Sequence, residues 1–198
     1  MPLPRGSRPI SRALSDFTGG ASESPREECG IIGVYLPGQR VANTTFFGLF
    51  ALQHRGQESA GIASADGYGI HLRADMGLVT QVFRDADLEA LPGHIAIGHT
   101  RYSTMGSSRK VNAQPLMAHG PHGSLALGHN GNVINARELR DELMREWGSV
   151  FEGTSDSAVI AELYAKAPGE TWADRSAYCM RKLRGASAEE LAHLQKGD

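Results

Sequence analysis

A block of short strands, with one helix before it and three consecutive helices after it, leaves few folds open to this chain. Residues 30–36, Gly30-Ile31-Ile32-Gly33-Val34-Tyr35-Leu36, form an apolar run stopped by Pro37-Gly38, which reads as a buried strand. Residues 42–54 space Phe46, Leu49, Phe50 and Gln53 for one face of a helix. Strands are expected at 59–63 and 69–73 around the turn pair Asp66-Gly67, then at 94–100, 115–119 and 124–127. A short helix is expected near 85–91, and a long polar loop over 101–114. Asn135 is placed to cap a helix whose Glu138 returns the bond and whose Leu139, Leu143 and Trp147 share a stripe. Helices are also expected at 156–166, with Val159, Ile160, Leu163 and Tyr164 inward, and at 172–183. No βαβ alternation is visible. The pattern therefore predicts an α+β fold with sheets sandwiched between helical layers.

The two ends differ from this body. Of residues 1–28, 12 are Pro, Ser or Gly, and the apolar residues among them keep no period, so a disordered leader is expected. It lacks the continuous apolar stretch of a secretory signal, and Asp16, Glu23, Glu27 and Glu28 oppose a transit peptide. Residues 187–198 form a polar, helix-prone tail with no further strand. Lys+Arg 20 against Asp+Glu 22, with no basic run, argues against nucleic acid as a partner, and no apolar stretch is long enough to span a membrane. Two cysteines, Cys29 and Cys179, fit a reducing, cytoplasmic setting.

Cys29 stands where leader becomes strand. By itself, a cysteine there reads as a small core residue. If residues 1–28 are removed, its thiol and a free α-amine share one residue, and an amine titrating near about 8 can serve as the base a thiol needs. Asn130-Gly131, within Gly128-His129-Asn130-Gly131-Asn132, is either a turn or an oxyanion hole made from a side-chain amide and an unhindered N–H. Arg101 is either a solvated arginine or a carboxylate clamp. Asp156 is either a first-turn helix acid or an acceptor for an ammonium. His119-x-x-His122 with His129 has no thiol or carboxylate at ligand spacing, so no metal site is expected. A Cys–His pair of Cys29 with His99 or His129 is a weaker alternative that leaves the leader unexplained.

Six segments occur together and in order: Glu28-Cys29-Gly30-Ile31-Ile32-Gly33, Leu52-Gln53-His54-Arg55-Gly56-Gln57-Glu58-Ser59-Ala60-Gly61, Gly98-His99-Thr100-Arg101-Tyr102-Ser103-Thr104, Asn112-Ala113-Gln114-Pro115, Gly128-His129-Asn130-Gly131-Asn132 and Thr154-Ser155-Asp156-Ser157. In this the chain resembles the class II glutamine amidotransferases, N-terminal-nucleophile hydrolases with a four-layer αββα fold. The motif from Gln53 to Gly61 and Tyr102 resemble the amidophosphoribosyltransferase branch. The resemblance implies that Cys29 attacks the glutamine carboxamide, forming a γ-glutamyl thioester and releasing ammonia for phosphoribosylamine formation, the first step of purine biosynthesis. It implies that Asn130 and Gly131 hold the oxyanion, that Arg101 and Asp156 grip the α-carboxylate and α-ammonium, that Thr104 lines the pocket and that Arg55 supports it. It also implies a glutamine lid over about 101–112 and a self-processed leader.

The resemblance ends near residue 186. The expected organisation is a leader over 1–28, a partial glutaminase domain over 29–186 with its fold incomplete at the C-terminus, and a divergent tail over 187–198. The expected organisation includes no phosphoribosyltransferase domain. The Mg²⁺ of that domain and the iron–sulfur cluster of some members therefore have no ligands expected in this chain, and Cys179 is no substitute. L-glutamine is the expected partner molecule, full-length members form homo-oligomers, and this chain alone is not expected to make phosphoribosylamine. An inert fragment of the family, or another class II amidotransferase, is the alternative.

Overall fold

In the computed structural model the described residues are 29–102 and 110–185. Strand β1 (Gly30–Tyr35) turns Ile32 and Val34 toward one side and Ile31, Gly33 and Tyr35 toward the other. Helix α1 (Ala42–Ala51) lies against the first side and buries Ala42, Thr45 and Leu49 there. Strands β2 (Ser59–Ala65), β3 (Ile70–Met76) and β4 (Ile95–Arg101) complete an antiparallel sheet in the order β1-β4-β2-β3. Between β3 and β4 run α2 (Val79–Val82) and α3 (Asp85–Glu89). Val41, Leu49, Ile62, Val79, Val82, Phe83 and Leu91 form the core under α1. Each such side chain is worth about 1.5–3 kcal/mol when fully buried.

A second antiparallel sheet pairs β5 (Leu116–Gly120) with β6 (Gly123–Leu127). Helices α4 (Ala136–Trp147), α5 (Asp156–Lys166) and α6 (Trp172–Lys182) follow. Ala161 and Ala165 on α5 pack on Ala118 of β5, while Val159 and Leu163 pack with Leu139, Leu143 and Cys179 of the other two helices. The two sheets meet at Gly61. A Cβ there would fall 2.2 Å from Gln114 O and 2.7 Å from Ala74 Cβ, so only glycine lets β2 come this close to the chain entering β5. The layers run helix, sheet, sheet, helices, the αββα order expected of an α+β amidotransferase.

Several local expectations are corrected. Phe50, expected inward, is 54% exposed, and Thr45 takes the buried position because its hydroxyl donates to Val41 O at 2.8 Å. The first helix stops at Ala51 and passes into a 3₁₀ turn, Gln53–Arg55, because Gln53 turns its side chain to Val79 N and Gly56 O. Helix α2 was missed, four residues being too short to display a period. Asn135 does not cap α4 with its side chain. Its amide donates to Lys182 O at 2.8 Å and its Oδ1 accepts from Arg184 N at 2.9 Å, tying the helix start to the end of α6.

Candidate active site

The expected site residues come from five separate elements. Cys29, half-buried, precedes β1, with its Sγ 3.7 Å from Tyr102 O. Its carbonyl accepts from Asn130 Nδ2 and from Arg55 Nε, each at 3.4 Å. Arg55 thus reaches Cys29 from the 3₁₀ turn, 26 residues away, and Asn130 does so from 101 residues away. Arg101 ends β4, and Asp156 opens α5 behind its N-cap Ser155. Cys29, Arg101, Asn130, Gly131 and Asp156 line one cleft of about 50 Å³. A neighbouring cleft of about 380 Å³ shares Asn132, Ser155 and Asp156 with it. Thr104 lies outside the described residues.

Arg101 is not a solvated surface arginine. Its side chain is 5% exposed and its Nη1 lies 3.6 Å from Glu58 Oε1, a carboxylate itself 15% exposed. Glu58 N also donates to Arg101 O at 3.0 Å, so backbone and side chain both fix the pair. A buried pair of this kind leaves an uncompensated charge if one member is removed, at a cost of about 3–5 kcal/mol. Asp156 does more than sit in a first turn. Oδ2 accepts from Val133 N at 2.9 Å and Oδ1 from Ser157 N at 2.8 Å, which anchors the loop carrying Asn130.

That loop, between β6 and α4, has no ladder or helix of its own and is shaped by its partners. Gly131 has φ +157°, and a Cβ there would meet His129 Nε2 at 2.9 Å, so glycine is demanded both by the backbone and by the neighbouring ring. His99 is fully buried on β4, and its Nε2 lies 3.1 Å from His129 O. Burial first, with the Arg101 charge adding to it, pushes the His99 imidazole down to about 4. The ring is therefore neutral near pH 7, and the carbonyl partner requires the proton on Nε2. Burial also lowers the pKa of His129, whose Nδ1 lies 3.2 Å from Ser157 Oγ. His99 Nε2 and His129 Nδ1 thus tie the loop to β4 and to α5, while the contact of Cys29 Sγ is with Tyr102 O.

Elsewhere, His119 Nδ1 meets Ser124 Oγ at 2.8 Å inside the β5–β6 hairpin. Among the described residues no three or more His, Cys, Asp or Glu gather where they could hold a metal ion. No helix among them is long and apolar enough to cross a membrane. Cys179 is buried in the helical cluster, and burial pushes its thiol up to about 11. Sequence reasoning gave no role to Glu58 or Gln114, and named His99 only as the base of a Cys–His pair, although each lies within a quoted motif. The signal was present in their polarity at strand ends, where a buried position demands a partner.

Comparison with known proteins agrees with the fold and the ordered motifs. The glutamine amidotransferase domain family matches residues 99–196. Amidophosphoribosyltransferase of Synechocystis is 46% identical over 172 residues, covering 86% of this chain and 35% of that protein. The enzyme of the same name from Archaeoglobus fulgidus is 50% identical over 139 residues, covering 70% and 30% respectively. The solved glutamine phosphoribosylpyrophosphate amidotransferase of B. subtilis, complexed with ADP and GMP, superposes with a TM-score of 0.69 at 38% identity, covering 78% of this chain and 33% of that one. The chain spans about a third of the length of the curated relatives it matches. By its ordered motifs, its layering and these identities, the chain belongs to the glutamine amidotransferase domain family, in the branch of the amidophosphoribosyltransferases.

Proposed function

We propose that this domain hydrolyses L-glutamine to glutamate and ammonia with Cys29 as nucleophile. The carrying observation is the convergence on Cys29: Asn130 and Arg55 both reach its carbonyl, while Arg101 and Asp156 line the cleft beside it. Removal of residues 1–28 frees the α-amine of Cys29. That amine takes the thiol proton as Sγ bonds to the substrate's carboxamide carbon. The oxygen becomes an oxyanion that Asn130 Nδ2 and Gly131 N–H stabilise. As the carbonyl reforms, the C–N bond breaks and the amine returns its proton to the leaving nitrogen, which departs as ammonia. Water then cleaves the thioester to release glutamate. Arg101 holds the α-carboxylate and Asp156 the α-ammonium, with Thr104 lining the pocket and Arg55 steadying Cys29.

In the whole protein this ammonia serves phosphoribosylamine formation at the start of purine synthesis, in a cytoplasmic homo-oligomer. The test is a glutaminase assay paired with intact mass spectrometry. Active material should begin at Cys29, and Cys29→Ala should release no glutamate. Undiminished turnover by chains that keep residues 1–28 would remove the α-amine as base.

A second reading, an inert domain, is favoured by one observation. Ile31, Tyr35 and Ile95, on the sheet face opposite α1, remain 41%, 64% and 45% exposed. A cooperative circular dichroism melt together with glutamate release would reject it, and a featureless melt would support it.

A further inference from the structure

We infer that Gln114 is the positioning residue of the oxyanion loop, a role that rests on the glutaminase reading above. The loop's backbone is gripped at one residue, His129, from both sides. His99 Nε2 donates to its carbonyl at 3.1 Å, and its own N–H donates to Gln114 Oε1 at 2.7 Å. The next two residues are Asn130 and Gly131, so fixing the peptides on either side of His129 aims both oxyanion donors.

Gln114 suits this task because its amide has two different ends. Oε1 is committed to the His129 N–H, which leaves Nε2 to donate to Ser157 Oγ, 3.1 Å away. Ser157 lies next to Asp156, and its Oγ is also 3.2 Å from His129 Nδ1. One side chain, 4% exposed, therefore joins three segments: the approach to β5, the oxyanion loop and the start of α5. Gly61 packs against the carbonyl of the same residue, so the backbone bearing the clamp is held by the opposite sheet. The cleft thus has its oxyanion side and its Asp156 side set by a single amide that need not touch substrate.

The test compares the full chain with Gln114→Met, which keeps the length and removes both bonds, and Gln114→Glu, which keeps an acceptor for the His129 N–H. Gln114→Met should lower kcat by about tenfold or more, the scale of one lost buried hydrogen bond and a misaimed donor, while KM changes by less than about threefold. Gln114→Glu should recover part of the lost kcat. Amide hydrogen exchange supplies a readout independent of turnover. In Gln114→Met, exchange at His129, Asn130 and Gly131 should accelerate by about tenfold with β2 and β4 unchanged. Wild-type exchange at these three amides overturns the proposal even if the protein shows no glutaminase activity. An active wild type with kcat unaltered in Gln114→Met overturns it as well. Loss of glutamate release from wild type, with the exchange pattern as expected, sinks only the glutaminase reading. Should Gln114→Met fail to fold, Gln114→Ala, which also removes both bonds, takes its place, and wild-type exchange at His129 with wild-type kcat in that variant overturns the proposal.

Discussion

Asn130 Nδ2 donates to the Cys29 carbonyl at 3.4 Å, so the side chain expected to meet a developing oxyanion already touches the backbone of the proposed nucleophile 101 residues away. Asn130→Ala should therefore reduce kcat by about 100- to 1,000-fold, the usual cost of one oxyanion donor. Alkylation of Cys29 by a diazoketone analogue of glutamine should slow much less, since it depends chiefly on the thiolate and the bound ligand. Parallel losses in turnover and labelling would assign Asn130 to binding instead.

Arg101 and Glu58 should behave as a unit. Arg101→Lys keeps the charge opposite Glu58 but loses the planar fork, and should raise the KM for glutamine by about 10- to 100-fold with a smaller change in kcat. Steady-state kinetics with asparagine as control, a substrate one methylene too short to reach Cys29, would check this. An unchanged KM would take Arg101 out of the α-carboxylate site.

The two thiols should separate cleanly. Cys29 is half-buried beside the cleft, whereas Cys179 is buried with its thiol pushed up to about 11. A glutamine-like electrophile should modify Cys29 and spare Cys179 near neutral pH, with excess glutamine protecting. Peptide mapping after labelling would show it. Equal, unprotected labelling would mean that no glutamine pocket forms.

His99 gives the stability a pH dependence of definite sign. Its folded pKa, about 4, lies below the ordinary 6.5, so the unfolded chain binds more protons across that interval. Stability should hold above about pH 6.5 and fall as pH drops toward 4, by about 3 kcal/mol for full expression of this one group. His99→Gln, which can still donate to His129 O, should flatten the slope between pH 6.5 and 4.5. Chemical denaturation at several pH values would measure it. Equal slopes in both proteins would take His99 out of the acid response between pH 6.5 and 4.5.

The residues proposed to touch substrate were named by the ordered motifs, whereas those that hold them carry no such mark of their role in the sequence. Cys29, Asn130-Gly131 and Asp156 stand at strand-to-loop and loop-to-helix boundaries, where local pattern equally reads a core cysteine, a turn and a first-turn acid, and only the resemblance gave them roles. The alternatives for Arg101 were separable only by its burial beside Glu58, which depends on the pairing of Ser59 with Arg101 across β2 and β4. Asn135 looked like a cap because capping is a local rule, but a tertiary partner at Lys182 and Arg184 outcompeted the helix's own amides. Phe50 failed because helical spacing identifies a face without saying how wide the covered stripe will be.

The loop bearing Asn130 is moored to the chain beyond α6: Ile134 N donates to Arg184 O at 2.8 Å, Val133 pairs with Gly185, and Asn135 reaches Lys182 and Arg184. A protease nick in the α5–α6 connection or just past α6 would therefore cut the mooring line and slacken the oxyanion donors while leaving Cys29, Arg101 and Asp156 chemically intact. Such a nicked protein should still be titrated by a thiol reagent and yet turn over poorly.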